Sequence, residues 1–308
     1  MQTLAITGAT GFLGRHLVAE CILQGRFKLR LLTRKGKTLE HLSCDKITIC
    51  EGDLMKPESI NDFLQPDSTL IHLAYMNNSH DQNITATINL IKALRQTRVK
   101  RVIHCSTAVV VGFSVKDVVT EETMPAPESE YEQTKYRIEK LFLSELSPVA
   151  ELAILRPTEI IGPGGQGLQK MIKRLRSGKK YTNYLYHLLL KSRRFNYVSV
   201  HNVIAALLTL TETQIIQKGE IYNISDDDDD DNNYAAVERI INENINNKRA
   251  YYFDVGIPKS LLIFLFLFMP GSSSPDRVYP QNKIAALGYR KVMTLNSAIT
   301  EILSKEGK

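Results

Sequence analysis

Residues 4–14 read Leu4-Ala5-Ile6-Thr7-Gly8-Ala9-Thr10-Gly11-Phe12-Leu13-Gly14, an aliphatic strand pattern running into three glycines spaced three apart. Leu17, Val18, Cys21 and Ile22 follow at helical spacing, so the stretch is a strand, a turn and a helix in immediate succession. That context gives the glycines their meaning. Gly8 permits a tight turn, Gly11 lets backbone N–H groups approach an anion with no Cβ in the way, and Gly14 lets the helix pack close to the strand. The positive end of the helix then faces the anion, as a dinucleotide pyrophosphate requires. The cofactor-binding set expected from this turn is Gly8, Thr10, Gly11, Phe12, Leu13 and Gly14.

Outward from the turn, short aliphatic runs alternate with helical patterns through the first 160 residues, the signature of βαβ units and a parallel sheet. Strands are expected at Leu4–Thr7, Leu29–Leu32, Ile47–Cys50, Thr69–Leu73, Arg101–Cys105 and Leu152–Leu155, and helices at Gly14–Leu23, Pro57–Leu64, Ile84–Gln96 and Glu130–Glu145. The fold class is therefore α/β, a doubly wound parallel sheet of Rossmann type, with a smaller C-terminal α/β part. Residues 1–160 are read as the NAD(P)-binding domain and 161–308 as the substrate-binding part, with elements at about 195–225 returning to the main sheet. In that second part a basic helical stretch spans Gln169 to Lys180, and a strand is expected at Phe195–Val200, a helix at Asn202–Thr211 and a strand at Ile221–Ile224. The six consecutive acids Asp226–Asp231 repel one another and are expected to form a solvated loop, with calcium binding disfavoured because the spacing of a calcium loop is missing.

Composition bounds the rest. With 308 residues, 43% hydrophobic and 23% charged, the chain reads as an ordinary globular enzyme-sized protein. Cys21, Cys44, Cys50 and Cys105 show no metal-ligand spacing and are read as free thiols, and no metal site is expected. The first strand begins almost at Met1, leaving no room for a secretory signal, so a cytoplasmic location is expected. The longest apolar run, Leu261–Met269, is about half the roughly 20 residues a transmembrane span needs. It reads as a buried helix, with a membrane-surface or partner contact as the alternative. The net charge of +6 favours an anionic small-molecule substrate; nothing resembles a nucleic-acid module.

Cofactor choice turns on the end of the second strand. An acidic residue there would hold a ribose 2′-hydroxyl, but the sequence offers Leu31-Leu32-Thr33-Arg34-Lys35, with Lys37 nearby. Arg34 would welcome a 2′-phosphate, so NADP(H) is favoured and NAD(H) is the alternative; a merely solvated Arg34-Lys35 loop is the competing reading.

Catalysis is read from three residues. Tyr131 and Lys135 stand four apart on one helical face, and Thr107 follows the strand Arg101–Cys105, at the sheet edge where ligands bind. Thr107 could bond the substrate oxygen that Tyr131 protonates or deprotonates, although a turn-capping hydroxyl would look the same. A tyrosine with its usual pKa of about 10 is a poor catalyst at neutral pH, and the Lys135 ammonium is expected to lower it.

On these motifs the chain resembles an extended short-chain dehydrogenase of the NAD-dependent epimerase/dehydratase family. Thr7–Gly14 is similar to that family's cofactor turn, Asp53-Leu54 to its adenine-contacting acid, His72-Leu73-Ala74 to its fourth-strand signature, and Asn83 with Thr87 to its helix motif. Ser106-Thr107 through Gly112 resembles the active-site strand end, and Arg156-Pro157-Thr158 with Gly162-Pro163 the segment bordering nicotinamide and substrate. The resemblance implies cofactor contacts from Asp53, Leu54, Leu73, Ala74, Tyr131, Lys135, Pro157 and Thr158, a nucleotide-sugar pocket, and a homodimer through the helices carrying Asn83–Gln96 and Tyr131–Glu145. It also exposes departures. Ala108 and Val109 stand where sugar 4,6-dehydratases carry an Asp-Glu pair, so dehydration is disfavoured. Val111 stands where a tyrosine is common, and His201-Asn202 replaces a usual acidic pair. The arginine that grips the diphosphate is displaced by one position, leaving Arg193 or Arg194 as the expected substrate contact. The expected activity is hydride transfer at a ring carbon of a nucleotide-activated sugar, as a 4-ketoreductase. A 4-epimerase holding NAD, a reductase of a non-sugar ketone or sterol-like alcohol, and a non-catalytic NADP(H)-binding protein are the alternatives.

Overall fold

A computed structural model of the chain describes residues 1–36, 45–77, 79–112, 117–214, 219–245 and 275–306. Lys37, Cys44 and the apolar run Leu261–Met269 lie outside the described residues.

Seven parallel strands form the central sheet in the order β3-β2-β1-β4-β5-β6-β9. They are β1 (Gln2–Thr7), β2 (Phe27–Thr33), β3 (Ile47–Glu51), β4 (Thr69–His72), β5 (Arg101–Cys105), β6 (Glu151–Pro157) and β9 (Glu220–Ile224). The order reverses between β1 and β4, and a crevice opens beyond the carboxyl ends there, where doubly wound sheets bind ligands. Strands this central read as unbroken aliphatic runs because both faces are covered. On one face lie α1 (Phe12–Gln24) and α6 (Val200–Glu212), whose Leu17, Val18, Val203 and Leu207 join the core with Leu4 and Ile6. On the other lie α2 (His80–Thr97) and α3 (Glu130–Glu145), contributing Leu90, Leu94, Ile138 and Phe142.

The remaining elements form a second, smaller layer. A two-stranded parallel sheet pairs β7 (Glu159–Ile161) with β8 (Tyr197–Ser199). Around it stand α4 (Gln169–Arg176), α5 (Lys180–Leu190), α7 (Tyr234–Asn244), the short α8 (Asn282–Ala285) and α9 (Leu295–Glu306). A third apolar cluster holds α4, α7 and α9 together through Ile172, Val237, Ile241 and Ile299.

Two expectations change. Pro57–Leu64 is not a full helix but one 3-10 turn, Pro57–Ile60. The Ser59 hydroxyl bonds back to the Asp53 and Lys56 carbonyls, a local competitor of helix continuation. Within 195–225, β9 is the seventh strand of the main sheet and α6 packs on it, whereas β8 pairs with β7. The acidic run is solvated only in part: Asp228 and Asp230 are exposed, and the rest turns inward. Asp226 is fully buried, its carboxylate accepting from the Ser199 amide at 2.8 Å and from Asn202 Nδ2 at 2.8 and 3.0 Å. Asp227 accepts from Asn196 Nδ2 and the Tyr279 amide, and Asp229 from the Leu295 amide, so the run ties β8, α6 and α9 together. Burial pushes the Asp226 carboxyl up to about 6 against these donors, which pull it down.

Among the described residues no helix is long and apolar enough to cross a membrane, and no group of His, Cys, Asp and Glu could hold a metal ion.

Candidate active site

The turn after β1 is built as tightly as its glycines suggest. Gly8 sits at φ 72, and a Cβ there would lie 2.8 Å from the Ala74 nitrogen after β4. A Cβ on Gly14 would strike the Gly8 carbonyl oxygen, so only glycine lets α1 start this close to the strand. Gly11 caps α1 with no side-chain cap bond, leaving the cap position open to an incoming anion. Thr7 braces the turn from below: its hydroxyl accepts from the Leu73 and Ala74 amides at 3.2 and 3.3 Å and donates to His72 Nδ1 at 2.7 Å. An acceptor Nδ1 requires neutral His72, and burial pushes its pKa down to about 3.

A cavity of about 340 Å³ opens above this turn. Gly8, Thr10, Gly11 and Arg34 line one part of it, and Asp53, Leu54, Leu73 and Ala74 another. Asn83 also borders it, holding the chain after β4 by exchanging bonds with both the amide and the carbonyl of Met76, at 2.8 and 2.7 Å. Three members of the expected cofactor set serve from elsewhere. The Phe12 ring packs beneath Gly165, where a Cβ would meet it at 2.9 Å; Leu13 packs against the core; and Gly14 lies behind the turn.

Tyr131 and Lys135 rise from the first turns of α3, whose start is fixed by a capping box between Ser129 and Glu132. Deeper in the helix, Glu139 takes Arg156 of β6 in a fully buried two-bond pair at 3.0 and 2.6 Å, which fastens α3 to the sheet. Lys135 is buried; its Nζ lies 4.4 Å from the centre of the Tyr75 ring and donates to the Cys105 carbonyl at 3.4 Å. Tyr75 in turn meets the Tyr131 ring edge-on at 5.4 Å. Thr107 ends the β5 segment, where its hydroxyl caps the turn Ala108–Val111 by accepting from the Val109 amide at 3.4 Å. The same hydroxyl is near enough to Tyr131 to lower its phenol pKa.

Against the expected drop, the protein groups around Tyr131 raise its pKa. Burial is the largest influence and pushes the phenol up to about 12, with Tyr75 and Cys105 adding to it and the Thr107 hydroxyl opposing. Lys135 spends its ammonium on the Tyr75 face and the Cys105 carbonyl, and burial lowers its own pKa.

A second cavity, of about 480 Å³, is lined by Ala108 and Val109, next to Thr107 in the chain, and by Thr158, Glu159, Arg193 and Arg277, among others. Pro157 closes β6 just before it. Arg193 and Arg277 are near enough to repel, and burial followed by that repulsion lowers the Arg193 pKa. Arg194 also borders the cavity, but its Nη1 donates to the Asp227 carbonyl at 3.0 Å and its amide to Pro275. Arg277 is the larger omission of the sequence reading: it is 5% exposed and directed by bonds to the Gly112 carbonyl and the Tyr279 hydroxyl. Nothing in Pro275-Asp276-Arg277 marks it as a site residue. Tyr75 and Glu139 were likewise unmarked, since each acts through a partner distant in sequence.

Residues 4–225 match the NAD dependent epimerase/dehydratase family. The chain belongs to that family. Family membership places the chain among NAD(P)-dependent dehydrogenases, epimerases and reductases. Sterol demethylase protein B of Methylococcus capsulatus is 29% identical over 173 residues, 53% of this chain and 52% of that protein. Sterol-4-alpha-carboxylate 3-dehydrogenase (decarboxylating) of Candida albicans is 27% identical over 244 residues, 73% of this chain and 68% of that one. The chain spans about half the length of the first curated relatives it matches. Among solved structures, the Bordetella bronchiseptica enzyme WbmG in complex with NAD and UDP superposes with a TM-score of 0.74 at 18% identity, covering 100% of this chain and 95% of that one. The common fold is therefore that of the family.

Proposed function

We propose that the chain is a ketoreductase that works at a ring carbon, C4, of a nucleotide-activated sugar, with NADP(H) preferred over NAD(H). The observation that supports this reading is that neighbours of the three residues line two cavities: Tyr75, against Lys135 and Tyr131, borders the one walled by the glycine turn, and Ala108 and Val109, next to Thr107, border the one that holds Arg193 and Arg277. A paired guanidinium site suits a diphosphate.

The first cavity fits a dinucleotide by its own construction: Gly8 and Gly11 line it, Gly14 lets α1 start against that turn, and Arg34 borders it. A nicotinamide bound there would supply or accept the hydride. This chain's residues do the rest. Thr107 orients the substrate oxygen, and Tyr131 gives it a proton during reduction or takes one during oxidation. Lys135, fixed on the Tyr75 face, supplies the positive field that stabilises the phenolate once its tyrosine ionises. Arg193 and Arg277 hold the anionic end of the substrate, and the Arg156–Glu139 pair keeps α3 in place. Ala108 and Val109 offer no acid or base directly after Thr107, which disfavours elimination of water; the carboxylates that border the cavity, Glu128, Glu132 and Glu159, come from other segments.

A second reading, oxidation at the ring alcohol of a sterol-like carboxylate, is favoured by the names of the two sterol-pathway relatives; one carboxylate would then engage the same arginines. Turnover separates the two. Purified protein is offered UDP- and dTDP-hexoses, their 4-keto forms and a 3-hydroxysterol 4-carboxylate, with NADPH or NADP⁺ followed at 340 nm, the standard absorbance of the reduced cofactor. The nucleotide-sugar reading expects conversion of a 4-keto sugar, and Tyr131→Phe should slow it about a hundredfold to ten-thousandfold with NADPH binding kept. Conversion of the sterol alone sinks the sugar reading. A Tyr131→Phe enzyme with unchanged kcat sinks both.

A further inference from the structure

We propose that residues 170–190 form a peripheral docking face for an anionic phospholipid bilayer. The basic helical stretch noted in the sequence is not absorbed by the catalytic reading, and it is the most lopsided part of the chain. From residue 160 to residue 211 there is no Asp or Glu and there are nine Lys or Arg. The whole chain carries a net charge of only +6, so everything outside this segment is net negative. The positive charge is local.

It is also displayed outward. Lys170, Lys173, Lys179 and Lys180 are all exposed, around the junction of α4 and α5. Helix α5, Lys-Tyr-Thr-Asn-Tyr-Leu-Tyr-His-Leu-Leu-Leu, then does what a helix in water should not: the one residue it buries is Asn183. Tyr181 is 93% exposed, Leu185 55% and Tyr186 44%, with Leu188 and Leu189 half-buried. Tyr181, Leu185 and Leu188 recur at the spacing of a single helical stripe. The guanidinium of Arg174 lies over the Tyr186 ring at 4.1 Å and donates to the Tyr234 hydroxyl at 2.5 Å, so this face is held against α4 and α7.

An apolar stripe bounded by lysines, with tyrosines among the leucines, is the composition of a helix lying in a membrane interface. Tyrosine prefers the headgroup level, leucine the acyl boundary, and lysine the negative potential of an anionic leaflet. A second copy of this chain is a poorer occupant, because a two-fold interface would set the lysine cluster against its own image. A nucleic acid would use the charge but leave the leucines in water. Helix α5 ends at Leu190, which itself lines the second cavity, so a docked molecule presents that cavity beside the lipid. The proposal does not depend on the substrate, although docking would favour the sterol-like reading.

The test is co-sedimentation of the full chain with vesicles of phosphatidylcholine, with and without phosphatidylserine, at low and high salt. Binding is expected to the phosphatidylserine vesicles and to weaken with salt. Each lysine near such a surface contributes about fivefold, so the pair Lys179→Ala and Lys180→Ala should lower the partition coefficient about thirtyfold. Tyr181→Ser with Leu185→Ser should remove most of the remainder, and thermal melts of both variants should match the parent, since the altered side chains are exposed. The idea is overturned by a parent protein that ignores phosphatidylserine, or by variants that bind as well as it does. It is equally overturned by a Leu185→Ser change that splits a dimer in sedimentation equilibrium, or by stronger binding to a single-stranded oligonucleotide than to vesicles at the same ionic strength. No arm requires turnover, so its failure is separate from failure of the catalytic reading.

Discussion

Two loops leave the carboxyl edge of the same sheet, the glycine turn after β1 and the acidic run after β9, and they are held in opposite ways. In the first, the constraint is the absence of side chains: Gly8 passes against Leu73 and Ala74, and Gly14 against Gly8 itself. In the second, the constraint is the side chains: Asp226, Asp227 and Asp229 each catch donors that arrive from residues 196–202 and 279–295. A local constraint is written in local sequence. A constraint satisfied by distant partners leaves only a run of like charges, whose default reading is repulsion and solvation.

The largest effect should come from Gly14→Ala. Its Cβ has no room short of moving the Gly8 carbonyl or the start of α1, so a loss of about 3 kcal/mol of stability is expected. Titration with NADPH should show affinity falling with it, since the helix end is what the anion meets. A fully stable variant with intact binding would show that the turn has slack, and the contrast between the two loops would collapse.

The same contrast explains what the sequence made legible. Strand and helix order, Tyr131 and Lys135 on one helix, and Arg34 after β2 all follow from periodicity and spacing along the chain, and α3 spans the expected Glu130–Glu145. Arg277, Tyr75 and the Glu139 partner of Arg156 did not, because each is set by a contact across more than 15 residues with no period to betray it. The Tyr131 pKa departs from its spacing for the same reason: burial first, then Tyr75 and Cys105, push it up, and none of these is visible along the chain.

Asp226→Ala tests the acidic loop from the other side. It strands the Ser199 amide and the Asn202 amide group, so a loss of about 2 kcal/mol is expected in urea unfolding at neutral pH. A solvated loop would lose nothing. The pH dependence carries a sign as well. The carboxyl is raised from 3.8 to about 6 in the folded chain, so the native state holds this proton more tightly than the unfolded one. Its contribution to stability is full below about pH 4 and is lost as the pH rises to about 6. Unfolding free energies of the parent relative to Asp226→Asn should therefore fall across that window and level off above it; a rise would mean that the donors outweigh burial.

The smallest effect belongs to Arg34, and its smallness is itself informative. Arg34 follows β2 directly and borders the first cavity, but it is exposed, so any bond it makes to a 2′-phosphate is shared with water and screened by salt. Across from it, Asp53 is a poor rival for a ribose hydroxyl, because its Oδ1 already accepts from the Met55 amide at 3.0 Å. Arg34→Ser should then weaken NADPH about fivefold at low salt while leaving NADH unchanged, and the difference should shrink as salt is added. Equal weakening of both cofactors would instead place the guanidinium on the adenine, a contact that both share. No change in either would leave Arg34 to solvent, and the preference for NADP(H) would then have no residue at this end of the cavity to carry it.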